Sequence, residues 1–436
     1  MTDIGRSSFD GCNNLEQIWI PDSVTSIENY VFNGCSKVSV HGVKESFAES
    51  YAAENNIPFS TEKLVYEMVR VNGKVIAENG TGLSGVTVSL YNKVRREFSR
   101  EVITDDEGNW NFYEKMMKKW TKILLIIVIV ILLLFVGMSY FIGTQVFMGS
   151  TQLVTCEDTS KVKDSFWERY NMDYDVFCST YTIEKVEITS TFDEHMIPAD
   201  YIYALGEEGD KNNPTVILVH GLGGNRYTNY PLAEMFLQKG YNVLTYDQRS
   251  SNENTAQYTT FGYWEKYDLI DYIDYVYSHA PEQVIGIWGT SFGGATAGLA
   301  MGDKDVENKV DFLILDCPVS DMKWMVEEEM RKMDIGLPIS YMTFCGNIIN
   351  KMELGFSYDD ANVCDKIADI EIPVLVINSE ADTLTPQFMG QEIYDSIQNE
   401  EIKMIWTVTD SEHTEMWLDY NQEYREKVQE LLNFTK

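Results

Sequence analysis

The segment IGIWGTSFGG, residues 285 to 294, decides the fold. Its apolar first half is typical of a buried strand, and the small residues that follow Gly293 are typical of a closely packed helix. Gly289 and Gly293 permit a strand-to-helix turn that leaves no room for side chains on either flank, and such a turn exposes the hydroxyl of Ser291 at the helix N-terminus. The pattern G-x-S-x-G is weak evidence alone, but this context makes it specific. We therefore interpret Ser291 as a nucleophile and not as a simple helix N-cap.

A nucleophilic serine needs a general base, because its hydroxyl reacts poorly at neutral pH. Of the five histidines, His413 in TDSEHTEMW falls in a loop between the last predicted strand and the last predicted helix. Asp382 follows the predicted strand in VLVINSEADTLTP, so the chain order is Ser291, Asp382, His413. Glu380 and Asp410 remain alternatives for the acid that orients the histidine. The sequence thus predicts a Ser-His-Asp arrangement.

Strand-like and helix-like segments alternate around this motif. In chain order they are TVILVHG, YPLAEMFLQKG, NVLTYD, EKYDLIDYIDYVYSH, VIGIWG, SFGGATAGLAM, DFLILDCP, IPVLVIN, FMGQEIYDSIQ, IKMIWTV and a C-terminal helix. This alternation predicts an α/β fold with a mostly parallel sheet and helices on both faces. An insertion at residues 319–370 contains two amphipathic segments, which we interpret as a small helical cap. Its methionine-rich stripe is more typical of core than of a pocket, although a stripe facing Ser291 would suit an apolar acyl group.

These motifs, together with VILVHGLGGN, YDQR and the stretch Asp382 to Pro386, resemble the α/β-hydrolase family. The resemblance covers residues 183–434, and its nearest likeness is to bacterial membrane-anchored members of the serine-aminopeptidase and lysophospholipase-like branch. We expect residues 150–436 to form the hydrolase domain. Family likeness implies the fold and the catalytic arrangement, but not the substrate.

The resemblance also implies roles for the residues beside the nucleophile. Backbone N–H groups of Leu222 and Phe292 would form the oxyanion hole, which stabilises the charge on the attacked carbonyl oxygen. His220 and Gly221 belong to the His-Gly turn after the strand TVILV, where the imidazole is expected to brace the loop and not to act as the base. No metal or organic cofactor is needed for such a reaction.

Two other modules precede this part of the chain. IGRSSFDGCNNLEQI (residues 4–18) and IENYVFNGCSKVSVH (residues 27–41) repeat with a period of 23 residues, and they resemble a leucine-rich repeat. We expect residues 1–63 to be a leucine-rich-repeat fragment. Residues 64–115 alternate with period two and resemble a carboxypeptidase-regulatory-like β-sandwich module, of which only part is present.

A long apolar segment separates these modules from the hydrolase-like part. The run Ile123 to Ile142 contains 20 residues without a charge, which is enough for a helix to cross a hydrocarbon core. Lysines precede it in KMMKKWTK (residues 115–122), so the N-terminal side is expected in the cytoplasm and the hydrolase domain outside. We predict an uncleaved signal anchor at residues 116–149, with a cleaved signal or a buried helix as alternatives. Because the repeats would then lie on the cytoplasmic side, we interpret residues 1–115 as a fusion upstream of a protein that begins near Met116.

Composition limits the possible partners. The formal charge of −34 disfavours nucleic acid and anionic lipid, since phosphate binding needs clustered lysine and arginine. Seven cysteines without a CxxC pair argue against a zinc site, and the sequence leaves open whether Cys156 pairs with Cys178.

Two functions are compatible with the sequence. The first is an extracytoplasmic, membrane-anchored serine hydrolase that cleaves carboxylic esters, or amides, of a small-molecule or lipid substrate. The second is a surface adhesion or interaction protein that uses the repeats, with a hydrolase fold that only binds. All catalytic parts are present and the repeat array is short, so we favour the first.

Overall fold

The computed structural model describes residues 2–62, 72–77, 79, 81–92, 97–111, 114–206 and 209–434. The chain forms two compact units, Met1–Ile131 and Leu132–Lys436. Parts of the predicted β-sandwich module, Gly80 among them, lie outside the described residues.

The N-terminal unit begins with stacked repeats. Its elements are β1 (Asp3–Ile4), β2 (Gln17–Ile20), β3 (Ser26–Ile27), β4 (Ser39–Gly42), α1 (Phe47–Glu54) and β5 (Phe59–Ser60). Strands β1 and β3 pair in parallel, with Asp3 opposite Ser26, which is the predicted offset of 23 residues. The rings of Phe9 and Phe32 stack with centroids 5.5 Å apart. The repeat period is therefore confirmed in the packing, because equivalent apolar residues of consecutive repeats contact each other.

Antiparallel strands follow in the same unit: β6 (Asn72–Lys74), β7 (Thr87–Asn92), β8 (Glu97–Ile103) and β9 (Asn109–Asn111). Strand β6 pairs with β9, and β7 pairs with β8. The turn between β8 and β9 is closed by Asp105, whose carboxylate accepts the backbone N–H groups of Glu107 and Asn109. This is a local side-chain turn of the kind that aspartate favours.

Helix α2 (Glu114–Thr151) contains the apolar run. Its apolar stretch is a candidate membrane span with a mean hydropathy of 2.8. Only 6% of the residues in its most apolar part are buried in the structure. Exposed leucine, isoleucine and valine side chains on a helix of this length are unfavourable in water but suit hydrocarbon. The helix extends beyond the predicted end at Ile142, and Phe147 near its end is buried in the core of the C-terminal unit.

The C-terminal unit alternates strands and helices as predicted. Its elements are α3 (Cys156–Ser160), α4 (Lys163–Arg169), α5 (Tyr174–Thr180), β10 (Ile183–Thr189), β11 (Met196–Ile202), β12 (Thr215–Val219), α6 (Tyr230–Leu237), β13 (Asn242–Tyr246), α7 (Glu265–His279), β14 (Ile285–Thr290), α8 (Phe292–Ala300), α9 (Lys304–Glu307), β15 (Phe312–Asp316), α10 (Met322–Met333), α11 (Ile339–Leu354), α12 (Val363–Ile367), β16 (Val374–Ser379), α13 (Phe388–Ser396), β17 (Lys403–Val408), α14 (Met416–Asp419) and α15 (Asn421–Leu432).

One sheet organises this unit, in the order β10-β11-β13-β12-β14-β15-β16-β17. Strands β10 and β11 run antiparallel to their neighbours, and the remaining pairs are parallel. Along β15, Leu313 and Leu315 belong to the core on one face, whereas Phe312 and Ile314 belong to the core on the other. Successive side chains point to opposite faces, so a strand that is apolar at every position is one with helices on both sides.

The cap consists of α10 and α11. Met322, Met330 and Met342 are buried, with exposed fractions of 0%, 5% and 2%, so the methionine stripe contributes mainly to the core, as the sequence favours. Exposed apolar side chains remain on the opposite side of α11 and in the loop before it.

Buried ion pairs join loops and strands of this unit, and no sequence pattern predicts them. Arg226 is 1% exposed, and its guanidinium contacts the carboxylates of Asp200, at 3.2 Å, and Asp247. Arg249 is similarly buried and contacts Asp193 at 2.7 Å. Each arginine joins segments that are distant in the sequence, so removal of either partner would leave a buried charge without compensation.

The seven cysteines all lie in the described part of the chain and are free thiols. Cys156 contacts the backbone oxygen of Asn254 through its sulfur, at 3.2 Å, and Cys178 lies elsewhere, beside Tyr174. The pairing that the sequence left open is not formed.

Candidate active site

Ser291 lies at the junction of β14 and α8, at the carboxyl end of the central strand. Its backbone has φ 53° and ψ −118°, a conformation that side-chain-bearing residues rarely adopt. A Cβ on Gly289 would lie 2.3 Å from the carbonyl oxygen of Gly293, and a Cβ on Gly293 would lie 2.2 Å from that of Val219. Only glycine fits at either position, so the two glycines make the turn possible and the turn presents the serine.

The structure brings Ser291, His413 and Asp382 into one hydrogen-bonded chain. The Oγ of Ser291 is 2.9 Å from Nε2 of His413, and Nδ1 of the same ring is 2.6 Å from Oδ2 of Asp382. The three residues follow the carboxyl ends of β14, β16 and β17. Because these strands are parallel, their carboxyl ends lie at the same edge of the sheet. The order of the sheet thus joins groups that are separated by up to 122 positions in the sequence.

Asp382 is held as a buried carboxylate. Its Oδ1 accepts the backbone N–H groups of Leu384 and Thr385, each at 2.9 Å, and its Oδ2 accepts the hydroxyl of Thr385 at 2.9 Å. Burial alone would raise the pKa of Asp382, but the hydrogen bonds from His413 and Thr385 outweigh it, so the pKa is lowered. The group is therefore ionised at neutral pH and accepts a proton-bearing Nδ1 from His413.

The alternative carboxylates lie elsewhere. Glu380 is exposed, and Asp410 is exposed and accepts the hydroxyl of Tyr420. Neither is hydrogen-bonded to the imidazole of His413, whose Nδ1 contacts Asp382 and Thr385.

Hydrogen bonds of the His220 side chain to backbone groups hold the His-Gly turn in place. Nε2 of His220 accepts the backbone N–H of Gln248 at 3.0 Å, so the proton is on Nδ1, which donates to the carbonyl oxygen of Gly221 at 2.8 Å. Burial lowers the pKa of His220 to about 4, and the ring is neutral. A Cβ on Gly221 would lie 3.3 Å from Cβ of Ser291, so this turn contacts the serine. Leu222 follows it and lines the same cavity as Ser291.

Phe292 is the first residue of α8. The first N–H groups of a helix have no acceptor within that helix, so they are available to a ligand at the N-terminus. Phe292 directly follows Ser291, and Leu222 lines the same cavity as Ser291.

A cavity of about 110 Å³ opens at Ser291. It is bounded by Phe166 and Tyr170 of the α4 region, and by Leu232, Trp288 and Trp417 of the sheet's helices and strands. Among the described residues that line it, none comes from α10 or α11, so the cap does not form this cavity. The sequence missed the contribution of α4. The only indication in the sequence was the aromatic cluster in SFWERY, which follows the apolar run by about 20 positions.

A cluster of possible metal-binding atoms overlaps this site. Ligand atoms of Cys317, Asp382 and His413 lie within 4.8 Å of one another. However, Asp382 and His413 are already hydrogen-bonded, and burial raises the pKa of the Cys317 thiol well above its usual value. A thiol that keeps its proton is a poor metal ligand. The adjacent Asp316 carboxyl is also buried, which raises its pKa to about 6.

Comparisons with known proteins agree with this geometry. Residues 214–344 match a family described as alpha/beta hydrolase fold, and residues 1–57 match one described as BspA type leucine rich repeat region (6 copies). The first match includes Ser291 and ends before Asp382, so the placement of Asp382 and His413 rests on the structure.

Relatives resemble the C-terminal unit at modest identity. YqkD of Bacillus subtilis is 27% identical over 264 residues, which are 60% of this chain and 83% of YqkD. The lysophosphatidylserine lipase ABHD12 of Rattus norvegicus is 24% identical over 190 residues, which are 42% of this chain and 45% of the lipase. Among solved structures, the Pyrococcus furiosus esterase Pf2001 has a TM-score of 0.47 and 24% identity, and covers 61% of this chain and 96% of the esterase.

The nucleophile turn, the strand order of the sheet and the alpha/beta hydrolase match all belong to the C-terminal unit. The C-terminal unit therefore has the α/β-hydrolase fold and is an enzyme of the serine hydrolase class, and residues 1–57 match a BspA-type leucine-rich repeat region.

Proposed function

We propose that the protein is a membrane-anchored serine hydrolase that cleaves carboxylic esters through an acyl-enzyme. The observation that carries the proposal is the hydrogen-bonded chain from Ser291 to His413 to Asp382, at 2.9 Å and 2.6 Å. In this proposal Ser291 is the nucleophile, His413 is the general base and acid, and Asp382 keeps the imidazole in the productive tautomer.

The reaction follows from these positions. Nε2 of His413 takes the proton of Ser291 as Oγ attacks the ester carbonyl, and the imidazolium that forms is stabilised by Asp382. The N–H groups of Phe292 and Leu222 hold the oxyanion, and loss of one such donor typically costs about 2.7–4 kcal/mol of transition-state stabilisation. His413 then protonates the leaving alcohol. Water, activated by the same ring, attacks the acyl-enzyme and releases the acid.

The cavity favours an apolar group beside the scissile bond. Aromatic and aliphatic side chains from α4, α6 and β14 lie beside Ser291, and among the described residues that line the cavity there is no lysine or arginine. Such a lining stabilises a hydrocarbon group by burial. The resemblance to a lysophosphatidylserine lipase supports a lipid ester, and we propose this class ahead of amides or peptides.

The proposed membrane anchor determines on which side of the membrane the reaction takes place. The long exposed apolar stretch of α2 supports a single span, and the lysines that precede it support a cytoplasmic N-terminal side. The hydrolase domain is then extracytoplasmic. Protease treatment of intact cells tests this orientation, because an external domain is digested and an internal one is protected.

The first test uses the full chain in membranes, labelled with a fluorescent fluorophosphonate. We expect labelling of the wild type, loss of labelling in Ser291→Ala, and full labelling in Ser278→Ala, a matched change at an exposed serine of α7. Hydrolysis of p-nitrophenyl esters of increasing chain length then reports the acyl preference. Labelling that persists in Ser291→Ala would overturn the assignment of the nucleophile.

A further inference from the structure

The cap is fastened to the anchor helix by an unusually close contact. A Cβ on Gly143 of α2 would lie 2.6 Å from the carbonyl oxygen of Cys345 in α11, and a Cβ on Gly346 would lie 2.4 Å from Cγ1 of Val146. Each helix therefore has a glycine where the other approaches. Small residues at a crossing allow this approach, which is a common way for helices to pack within membranes.

The contacts show that the two helices run in the same direction. The ring of Tyr341, near the start of α11, packs against that of Phe135 in a tilted arrangement, with centroids 6.1 Å apart, and the Tyr341 hydroxyl is 2.7 Å from that of Ser139. Tyr358, beyond the end of α11, is 3.5 Å from the hydroxyl of Ser150. Earlier residues of α11 therefore lie beside earlier residues of α2.

This direction places the beginning of α11 at the depth of the proposed span. Phe135 and Ser139 lie inside the apolar run that ends at Ile142. At a rise of about 1.5 Å per residue, Phe135 is roughly 10 Å from the end of that run. The last residue of α10 and the loop before α11, residues 333–338, precede this contact and are here called the cap tip.

The cap tip and the adjoining face of α11 have the composition of a membrane-contacting surface. Met333, Ile335 and Leu337 of the tip are 60%, 58% and 40% exposed, and Phe344 and Ile348 of α11 are 62% and 43% exposed. Residues 335–350 contain no charged side chain. Monomeric soluble domains rarely expose a continuous apolar surface of this kind, and such a surface marks an interaction site.

Charged side chains are few along this apolar segment. Asp334 is the only charged residue between Lys332 and Lys351, so charge occurs at the two ends of the apolar segment. Amphipathic segments of this type lie about 5–10 Å deep at the boundary between headgroups and acyl chains. The bilayer is the occupant that fits, because the apolar surface continues directly from the anchor helix.

We propose that the cap tip and the exposed face of α11 are embedded in the outer leaflet beside α2. The inference rests on the proposed membrane span. The hydrolase domain is then held against the membrane by two elements, the span and the cap, and it does not swing freely from a single tether.

The test places a photoreactive benzophenone amino acid at chosen positions of the full chain in zwitterionic lipid vesicles, and detects lipid adducts by mass. We expect adducts at Ile335 and Phe344, as at Leu133 within the span, and none at Val176, an exposed apolar residue of α5. Adducts at Leu133 but not at either cap position would overturn the inference and leave the anchor in place. An absence of adducts at Leu133 as well would overturn the proposed span itself.

A kinetic test uses the double variant Ile335→Ser/Leu337→Ser, with Val176→Ser as the matched control. All three side chains are exposed, so the fold should be retained. We expect hydrolysis of long-chain esters presented in vesicles to fall on the order of tenfold, with hydrolysis of a soluble short-chain ester unchanged. Equal activity on both substrates, or an equal loss on both, would contradict membrane contact by the tip.

Discussion

Replacing Asp382 by asparagine keeps the shape of the side chain but exchanges one oxygen for an NH₂ group. The structure determines where that group must go. Oδ1 faces two fixed backbone donors, the N–H groups of Leu384 and Thr385, each at 2.9 Å. An NH₂ group there would face two donors with no acceptor, so it takes the place of Oδ2.

In that place the NH₂ group faces Nδ1 of His413, 2.6 Å from the atom it replaces. Nδ1 must then accept a hydrogen bond, so the imidazole proton moves to Nε2. Nε2 is 2.9 Å from Oγ of Ser291 and can no longer take its proton. A serine protease with the equivalent change loses about 10⁴ in kcat, and we expect a loss of that order, or about 5 kcal/mol of activation free energy.

The assay measures kcat and KM for a p-nitrophenyl ester with the full chain in vesicles. Since Asp382 acts through His413, the loss should fall on kcat. Glu380→Gln and Asp410→Asn are matched controls that remove one charge near the site, and each should retain the wild-type rate. An Asp382→Asn enzyme within about tenfold of wild type, or a large loss in either control, would refute the reasoning and assign the orienting role to another carboxylate.

Three further outcomes are expected. Arg226→Ala removes the buried guanidinium that contacts the carboxylates of Asp200 and Asp247, although Lys185 still contacts Asp200. The change should lower the free energy of unfolding by about 3–5 kcal/mol, measured by urea denaturation; a loss below about 1 kcal/mol would contradict this. Partial burial would raise the pKa of Asp193, but its ion pair with Arg249 lowers it to about 2. The stability from this pair is therefore present above an unfolded-state pKa near 4 and lost as the pH falls through about 2, and Asp193→Asn should flatten acid unfolding in that window. Incubation with EDTA should leave ester hydrolysis unchanged, because a serine nucleophile needs no metal; a loss that zinc restores would contradict the mechanism.

Much of the architecture could be predicted because the hydrophobic pattern has the period of the element it forms. EKYDLIDYIDYVYSH and MKWMVEEEMRKM were predicted as helices and become α7 and α10 without a change of boundary. The strands of the parallel sheet are apolar at every position, since both faces are covered. The short helices α3, α4 and α5 were not predicted, because one or two turns give too little periodicity to detect.

Part of the candidate site could also be predicted from the sequence, and part could not. Ser291, Asp382 and His413 could be placed from their strand ends, because the chain order and the parallel sheet together bring those ends to one edge. The wall of the cavity could not be placed. Phe166 and Tyr170 reach Ser291 across more than 100 positions, and no local pattern records which aromatic residues will approach a distant strand. Arg226 and its buried partners were missed for the same reason, since polar pairing across the fold has no period.

The backbone of Ser291 has a further consequence. A side-chain-bearing residue at φ 53° and ψ −118° costs the folded state about 1–3 kcal/mol, which glycine would not incur. Ser291→Gly should therefore be more stable than the active protein, whereas Ser291→Ala, which keeps the Cβ, should not. A chain under selection for stability alone would drift to glycine at this position. The serine therefore imposes a folding cost that glycine would avoid, and the proposed role of Ser291 as nucleophile accounts for that cost.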